Sequence, residues 1–286
     1  MSWARNGECE IWYETFGDAA NPTLLMVNGL GSQSINYQDA WCEMFAAEGL
    51  FVIRYDNRDV GLSSSFAGAP VGELGNAYVV SDMAADGMAV LDALGIDRAH
   101  VMGLSMGGMI VQTMAIEHPD RLLSMTSVMS SSGEPEYGQS TPRSFQLLTA
   151  PPATDQESYV QSWIEGLREW GSPEFFDEDR LRADAERAFE RSCRPDGSGR
   201  QFLAIRASAE GRAAKLRDVR VPTLVMHGSA DTLITPSGGE RTAELIPGAR
   251  FVLIEGMGHD IPRAFQPQVI EAVLALVSRA ESAVAS

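Results

Sequence analysis

Continuous apolar runs and helix-period segments alternate along this chain, and the alternation sets the expected fold. Residues 23–27, 51–55, 100–104 and 122–129 are apolar runs without strict polar alternation, the pattern of strands buried on both faces. Residues 35–48, 79–94 and 106–117 lie between them with apolar positions at helical spacing, the last stopped by Pro119. Parallel strands need long crossovers, so strands separated by helices in this way predict a parallel sheet covered on both faces. Asn6-Gly7, between strand-like residues 2–5 and 8–15, predicts an antiparallel hairpin ahead of that sheet, because both residues tolerate positive φ in a two-residue turn.

The rhythm breaks after residue 130. Ser, Gly and Pro cluster first, and polar amphipathic stretches follow at 159–170, 179–193 and 200–215. Strand patterns at 222–227 and 251–255 and helix patterns at 239–245 and 267–280 then resume the alternation. The expected architecture is α/β: a mostly parallel eight-stranded sheet with helices on both faces. Residues 1–130 and 218–286 form the core and 131–217 an inserted helical cap.

Composition narrows the classes. A chain of 286 residues, 44% hydrophobic and 21% charged, can bury a large core and is no disulfide-stapled miniature. Cys9, Cys42 and Cys193 are scattered without a CxxC pair, so neither a disulfide framework nor a zinc site is expected, and no metal or cofactor is implied. The net charge of -17 opposes contact with nucleic acid or anionic membrane, because phosphate binding needs a basic footprint. With no long apolar stretch and no basic leader at residues 1–11, the expectation is a cytoplasmic protein, monomer or homodimer, acting on a small molecule.

The chemistry is carried by a few short motifs. Gly103-Leu104-Ser105-Met106-Gly107 falls where the strand 100–104 meets the helix 106–117, a turn so tight that the neighbours of an exposed serine must be small. A serine hydroxyl is a weak nucleophile and needs a base, itself oriented by an acid. Of the four histidines, His100, His118 and His227 sit at strand or helix ends and read as structural. His259, in Gly256-Met257-Gly258-His259 just past the last strand pattern, is the candidate base. Asp231, four residues past the strand 222–227, is the candidate acid, with Glu134 as its rival; Asp260 adjoins His259 at an unfavourable angle. Backbone N–H groups of Met106 and of Leu30, in the turn Asn28-Gly29-Leu30-Gly31, are candidates for an oxyanion hole. Asn28 either adds a side-chain amide to that site or stabilises the turn. Trp163 and Trp170 either line a substrate pocket or pack the cap against its base.

Taken together, Asn28-Gly29-Leu30-Gly31, Asp56-Asn57-Arg58-Asp59-Val60-Gly61, Gly103-Leu104-Ser105-Met106-Gly107-Gly108, His227-Gly228-Ser229-Ala230-Asp231 and Gly256-Met257-Gly258-His259 resemble the α/β-hydrolase superfamily. The resemblance covers residues 3–129 and 219–277 and implies a Ser-Asp-His triad working through an acyl-enzyme. Most members carry Gly where Asp59 stands. The Arg-Asp version, with Asn28 in place of a usual His, is similar to aclacinomycin methylesterases, which implies a methyl ester of a polyketide-like compound as substrate. Ser105 excludes the superfamily branches that need a carboxylate nucleophile. C-C bond hydrolases and cofactor-free haloperoxidases or perhydrolases share the triad, and a ligand-binding receptor on the same fold is the non-enzymatic alternative.

Overall fold

The computed structural model describes residues 2–69 and 77–284. Its strands are β1 (Ser2–Asn6), β2 (Cys9–Phe16), β3 (Thr23–Val27), β4 (Phe51–Tyr55), β5 (Ala99–Leu104), β6 (Leu122–Val128), β7 (Thr223–Gly228) and β8 (Arg250–Ile254). Among the described residues they form one eight-stranded sheet in the order β1-β2-β4-β3-β5-β6-β7-β8. Strand β2 is antiparallel to β1 and β4, and every later pairing is parallel. The helices are α1 (Asp39–Ala47), α2 (Val80–Ala93), α3 (Met106–Glu117), α4 (Pro142–Leu148), α5 (Gln156–Trp170), α6 (Glu178–Arg191), α7 (Pro195–Ala207), α8 (Arg212–Leu216), α9 (Ser237–Leu245) and α10 (Gln266–Val284). Helices α4 to α8 all lie between β6 and β7 in the chain.

The apolar runs are buried strands because successive side chains feed two cores. In β3, Leu25 and Val27 join Ile53, Val101, Met83, Leu91, Ile110 and Met114 on the side of α2 and α3. Leu24 and Met26 join Val52, Met102, Met226, Trp41, Phe45 and Val273 on the side of α1 and α10. Each such side chain contributes roughly 1.5–3 kcal/mol by leaving water, so a polar substitution on either face is costly. Strand β3 lies between β4 and β5, and its two neighbours are reached by connections running in opposite directions. That reversal opens a crevice at the carboxyl edge of the sheet, where α/β proteins bind ligands.

Several local expectations are corrected. The hairpin turn is Gly7-Glu8, with Asn6 paired to Cys9. Only the first central residue, Gly7 at φ 60°, is left-handed, which fits a type II′ turn. Ala4 lies opposite Ile11 on the covered face. The helix expected at 35–48 starts at Asp39, after a 3₁₀ turn (Ser34–Asn36) held by the Ser34 N–H donating to Asp56 at 2.7 Å. The stretch 200–215 is divided between α7 and α8 by Gly211 at φ 80°. Helix α4 was hidden in the Ser/Gly/Pro cluster. Thr141 caps it by accepting from the Ser144 N–H, and Pro142 fits its first turn. Among the described residues no helix is long and apolar enough to cross a membrane.

Two glycines test this packing against each other. A Cβ on Gly107 would meet the Val27 carbonyl oxygen at 2.0 Å, whereas one on Gly7 would meet nothing within 4 Å. Gly107→Ala is expected to destabilise by about 3 kcal/mol or more and Gly7→Ala by about 1–2 kcal/mol, from its φ alone. Urea unfolding of the two variants measures the contrast, and equal losses would contradict it.

Candidate active site

Six chain segments converge on the carboxyl edge of the sheet, each leaving a strand. Ser105 follows β5 and precedes α3, with φ 56° and ψ -118°. Its strained backbone is held from both sides. The Ser105 N–H donates to the Val128 carbonyl at 2.9 Å, and its carbonyl accepts from Gly108 N–H at 2.9 Å and Ser130 Oγ at 2.8 Å. The glycines of the motif are sterically required. A Cβ on Gly103 would lie 2.0 Å from the Gly107 carbonyl oxygen, and one on Gly108 would lie 2.5 Å from the Ser130 Cβ. The three non-glycine residues with positive φ among the described residues, Asp59, Ser105 and Met129, all follow the carboxyl ends of β4, β5 and β6. Strain of this kind clusters where a site is built.

The candidate acid and base meet on the far side of the same edge. Asp231 is buried, and its Oδ2 lies 2.6 Å from His259 Nδ1. Its Oδ1 accepts the N–H groups of Leu233 and Ile234, both at 2.9 Å, so one carboxylate oxygen holds the loop and the other the imidazole. Burial alone pushes the Asp231 carboxyl up, but the facing His259 and the hydrogen bonds from His227 and His259 bring it net below the ordinary carboxylate range. The bond at Nδ1 leaves Nε2 as the ring nitrogen free for proton transfer. No hydrogen bond joins Ser105 Oγ to His259 among the described residues; such contacts tighten when substrate binds. The rival acid Glu134 is engaged elsewhere, forked onto Arg241 at 2.8 and 3.0 Å. Asp260 is turned to Ser172, accepting its N–H at 2.8 Å and its hydroxyl at 2.6 Å.

The turn after β3 faces Ser105. A Cβ on Gly29 would lie 3.2 Å from the Ser105 Cβ, so the Gly29-Leu30 peptide runs against the serine. The Gly29 carbonyl accepts the Ser32 N–H at 3.2 Å, and because a trans peptide points its N–H opposite its carbonyl, the Leu30 N–H points away from that bond. Neither the Leu30 N–H nor the Met106 N–H has a protein partner among the described residues. Asn28 belongs to the turn: its amide donates to the Gln33 carbonyl at 3.0 Å and its carbonyl accepts from Asn57. Trp163 packs with Tyr159 against Val160, Ile164, Leu181 and Ala185, between α5 and α6. The Trp170 ring lies over Gly166, and its carbonyl accepts the His259 N–H at 2.6 Å. Of the three candidate pocket residues, Trp170 is bonded to the segment that carries His259.

His227, read from the sequence as structural, also faces the acid. Its Nε2 lies 2.7 Å from the Ile234 carbonyl oxygen, so it carries a proton there, and 3.2 Å from Asp231 Oδ2. Asp231 therefore receives two imidazoles. The signal was present in the spacing, four residues from His227 to Asp231, but a histidine closing an apolar strand gives no sign of its partner. Burial pushes the thiols of Cys9 and Cys42 up to about 11 and about 12, which leaves them protonated and unreactive.

The depressed Asp231 carboxyl has a thermodynamic consequence. Its contribution to stability is present above its unfolded value of about 3.9 and is withdrawn as pH falls through the lower folded value. As pH falls below about 4, the unfolding free energy of the wild type should fall more steeply than that of Asp231→Asn. Parallel curves in acid urea titrations would contradict this.

Comparison with known proteins agrees with this fold. The family described as alpha/beta hydrolase fold matches residues 22–262. Rhodomycin D methylesterase DauP of Streptomyces sp. (strain C5) is 33% identical over 295 residues, covering 94% of this chain and 95% of that protein. 3-oxoadipate enol-lactonase 2 of Acinetobacter baylyi is 28% identical, covering 92% of each. Among solved structures, the enol-lactonase from Burkholderia xenovorans LB400 superposes with a TM-score of 0.77 at 23% identity, over 97% of this chain and 100% of that one. The chain belongs to the alpha/beta hydrolase fold family.

Proposed function

We propose that this hydrolase is a serine-dependent carboxylic ester hydrolase, and that its substrate is the methyl ester of a medium-sized, largely apolar compound of polyketide type. The observation that carries the reading is the 2.6 Å bond from Asp231 to His259 Nδ1, on the same sheet edge as the strained Ser105. His259 Nε2 takes the Ser105 proton while Oγ bonds to the ester carbonyl carbon, and the displaced π pair becomes an oxyanion held by the N–H groups of Leu30 and Met106. Collapse of the tetrahedral intermediate breaks the bond to the alcohol oxygen, which leaves with the proton from His259. Water then attacks the acyl-enzyme as His259 takes its proton, and the acid departs as Ser105 recovers its hydrogen. Asp231 stays ionised throughout, in keeping with its lowered carboxyl, and stabilises the imidazolium.

The methyl ester is supported by the 33% identity to a rhodomycin D methylesterase over nearly the whole of both chains. Residues 131–217 act in this reading as a cap over the site, with Trp170 forming a wall beside the base. That role is supported by the bonds from this segment to the acid and base loops: Thr232 Oγ1 donates to the Glu169 carbonyl at 3.0 Å, and the His259 N–H to Trp170.

Ser105→Ala should leave folding intact and lower ester hydrolysis by about 10³-fold or more. Asp231→Asn should lower kcat by about 10³–10⁴-fold, and Glu134→Gln by no more than about threefold. Steady-state kinetics on purified variants give the ranking, and the reverse order would move the acid to Glu134. A panel of methyl, short-chain aryl and bulky polyketide-like esters, with a vinylogous diketone for C-C cleavage, tests the substrate class. Preference for the diketone would replace the esterase reading, and tight binding without turnover would point to a receptor.

A further inference from the structure

We propose that Gln201, on α7, is a positioning residue for the oxyanion turn, and that the ion pair of its neighbour Arg200 with Asp59 fixes α7 in the register this requires. The inference rests on the ester-hydrolase reading of Ser105. Gln201 is fully buried, and its amide spans two core loops. Its Oε1 accepts the Gly31 N–H at 2.8 Å, and its Nε2 donates to the Arg58 carbonyl at 2.8 Å.

The turn needs such a hold because its backbone is soft. Leu30 stands between two glycines, and Gly31 is at φ 69°, so little in the local chain restricts the direction of the Leu30 N–H. One of the two peptides around Leu30 is held from within, by the Ser32 N–H on the Gly29 carbonyl. The other is held from outside by Gln201, 170 positions away in sequence. With both fixed, the Leu30 N–H is aimed before substrate arrives, which is what gives an oxyanion donor its effect.

Asp59 accounts for the register. Its Oδ2 accepts from Arg200 Nε at 2.8 Å and its Oδ1 from Arg200 Nη2 at 2.9 Å, a buried two-point contact, and Tyr78 and the Phe66 N–H complete its shell. Its φ of 70° is a conformation that favours glycine, the residue the superfamily pattern has here. The carboxylate is therefore held against a backbone preference, and the partner it gains is on the helix that carries Gln201. Close approach seals the contact: a Cβ on Gly197 would lie 2.2 Å from the Asp59 carbonyl oxygen, and one on Gly31 would lie 2.6 Å from Ser198 Oγ.

The test is Gln201→Met, which keeps the volume and removes both hydrogen bonds. Its kcat and KM are read with p-nitrophenyl acetate, its melting temperature alongside, and its inhibition by phenylboronic acid, whose adduct on Ser105 places an oxygen in the oxyanion site. Misdirecting one donor should lower kcat by about 10–100-fold, change KM by less than about threefold and weaken phenylboronic acid in proportion. A kcat within about threefold of wild type would overturn the proposal. So would a kcat loss with unchanged inhibition by phenylboronic acid, the mark of a purely structural role. If Gln201→Met does not fold, Gln201→Ala, which also removes the acceptor for Gly31 and leaves room for water at the Gly31 N–H and the Arg58 carbonyl, carries the same measurements. Ser105→Ala separates the two readings: turnover surviving in that variant removes the esterase reading, whereas its loss beside an unaffected Gln201→Met removes this inference alone.

Discussion

The backbone of Ser105, at φ 56° and ψ -118°, sits where any residue with a Cβ is strained by about 1–3 kcal/mol, and the surrounding structure has to hold it there. The packing of the elbow and of the turn facing it follows from that constraint. The turn between β5 and α3 can close only if Gly103 and Gly107 pass within contact of backbone, which fixes how closely α3 packs on β3. That packing sets the Gly29-Leu30 peptide against the serine. The Val128 carbonyl and the Ser130 hydroxyl that bond Ser105 are supplied by β6 and the residues after it. The strain is thus distributed over three adjacent strands of a sheet buried on both faces, where a cooperative core can offset it.

The segment between β6 and β7 is bound into the site at two places. Its first half reaches the segments carrying Asp231 and His259: Ser140 and Ser144 bond the loop after β7, and Ser172 receives the Gly258 N–H and donates to Asp260. Its second half reaches the turn after β3 and the loop after β4. Arg191 joins Asp56 and Gln33, Arg200 joins Asp59, and Gln201 spans Gly31 and Arg58. Where both partners are buried, as between Arg200 and Asp59 and between Gln201 and Arg58, breaking the contact leaves an unpaired group away from water. A segment tied in this way constrains the geometry of the residues beneath it, in addition to whatever surface it offers a substrate.

What could be read in the sequence was what is local. Strands buried on both faces announce themselves as apolar runs, and Ser105, Asp231 and His259 stand in short motifs just past such runs, where the sheet edge must bring them together. The hairpin was misplaced by one residue because Asn-Gly suits a two-residue turn with both central residues left-handed, whereas here Gly7 alone is left-handed and takes the first central position, and both registers keep Ala4 on the covered face. Partners distant in the chain left no trace. His227 gives no sign that it will face Asp231, and nothing in Gln201 or Arg200, inside a polar helix, points to Gly31 or Asp59. The Arg-Asp pair at 58 and 59 was visible as a departure from the superfamily pattern, but its reason needed the φ of Asp59 and the position of Arg200.

The central claim is that Ser105 carries the acyl group during turnover. Peptide mass spectrometry after an acid quench of the enzyme in steady-state hydrolysis of an aryl ester addresses it directly. The account predicts the mass of the acyl group on the peptide containing Ser105 and on no other, lost when the protein is left to complete turnover. An acyl group on a different residue, or hydrolysis at full rate with no labelled peptide at any quench time, would contradict it.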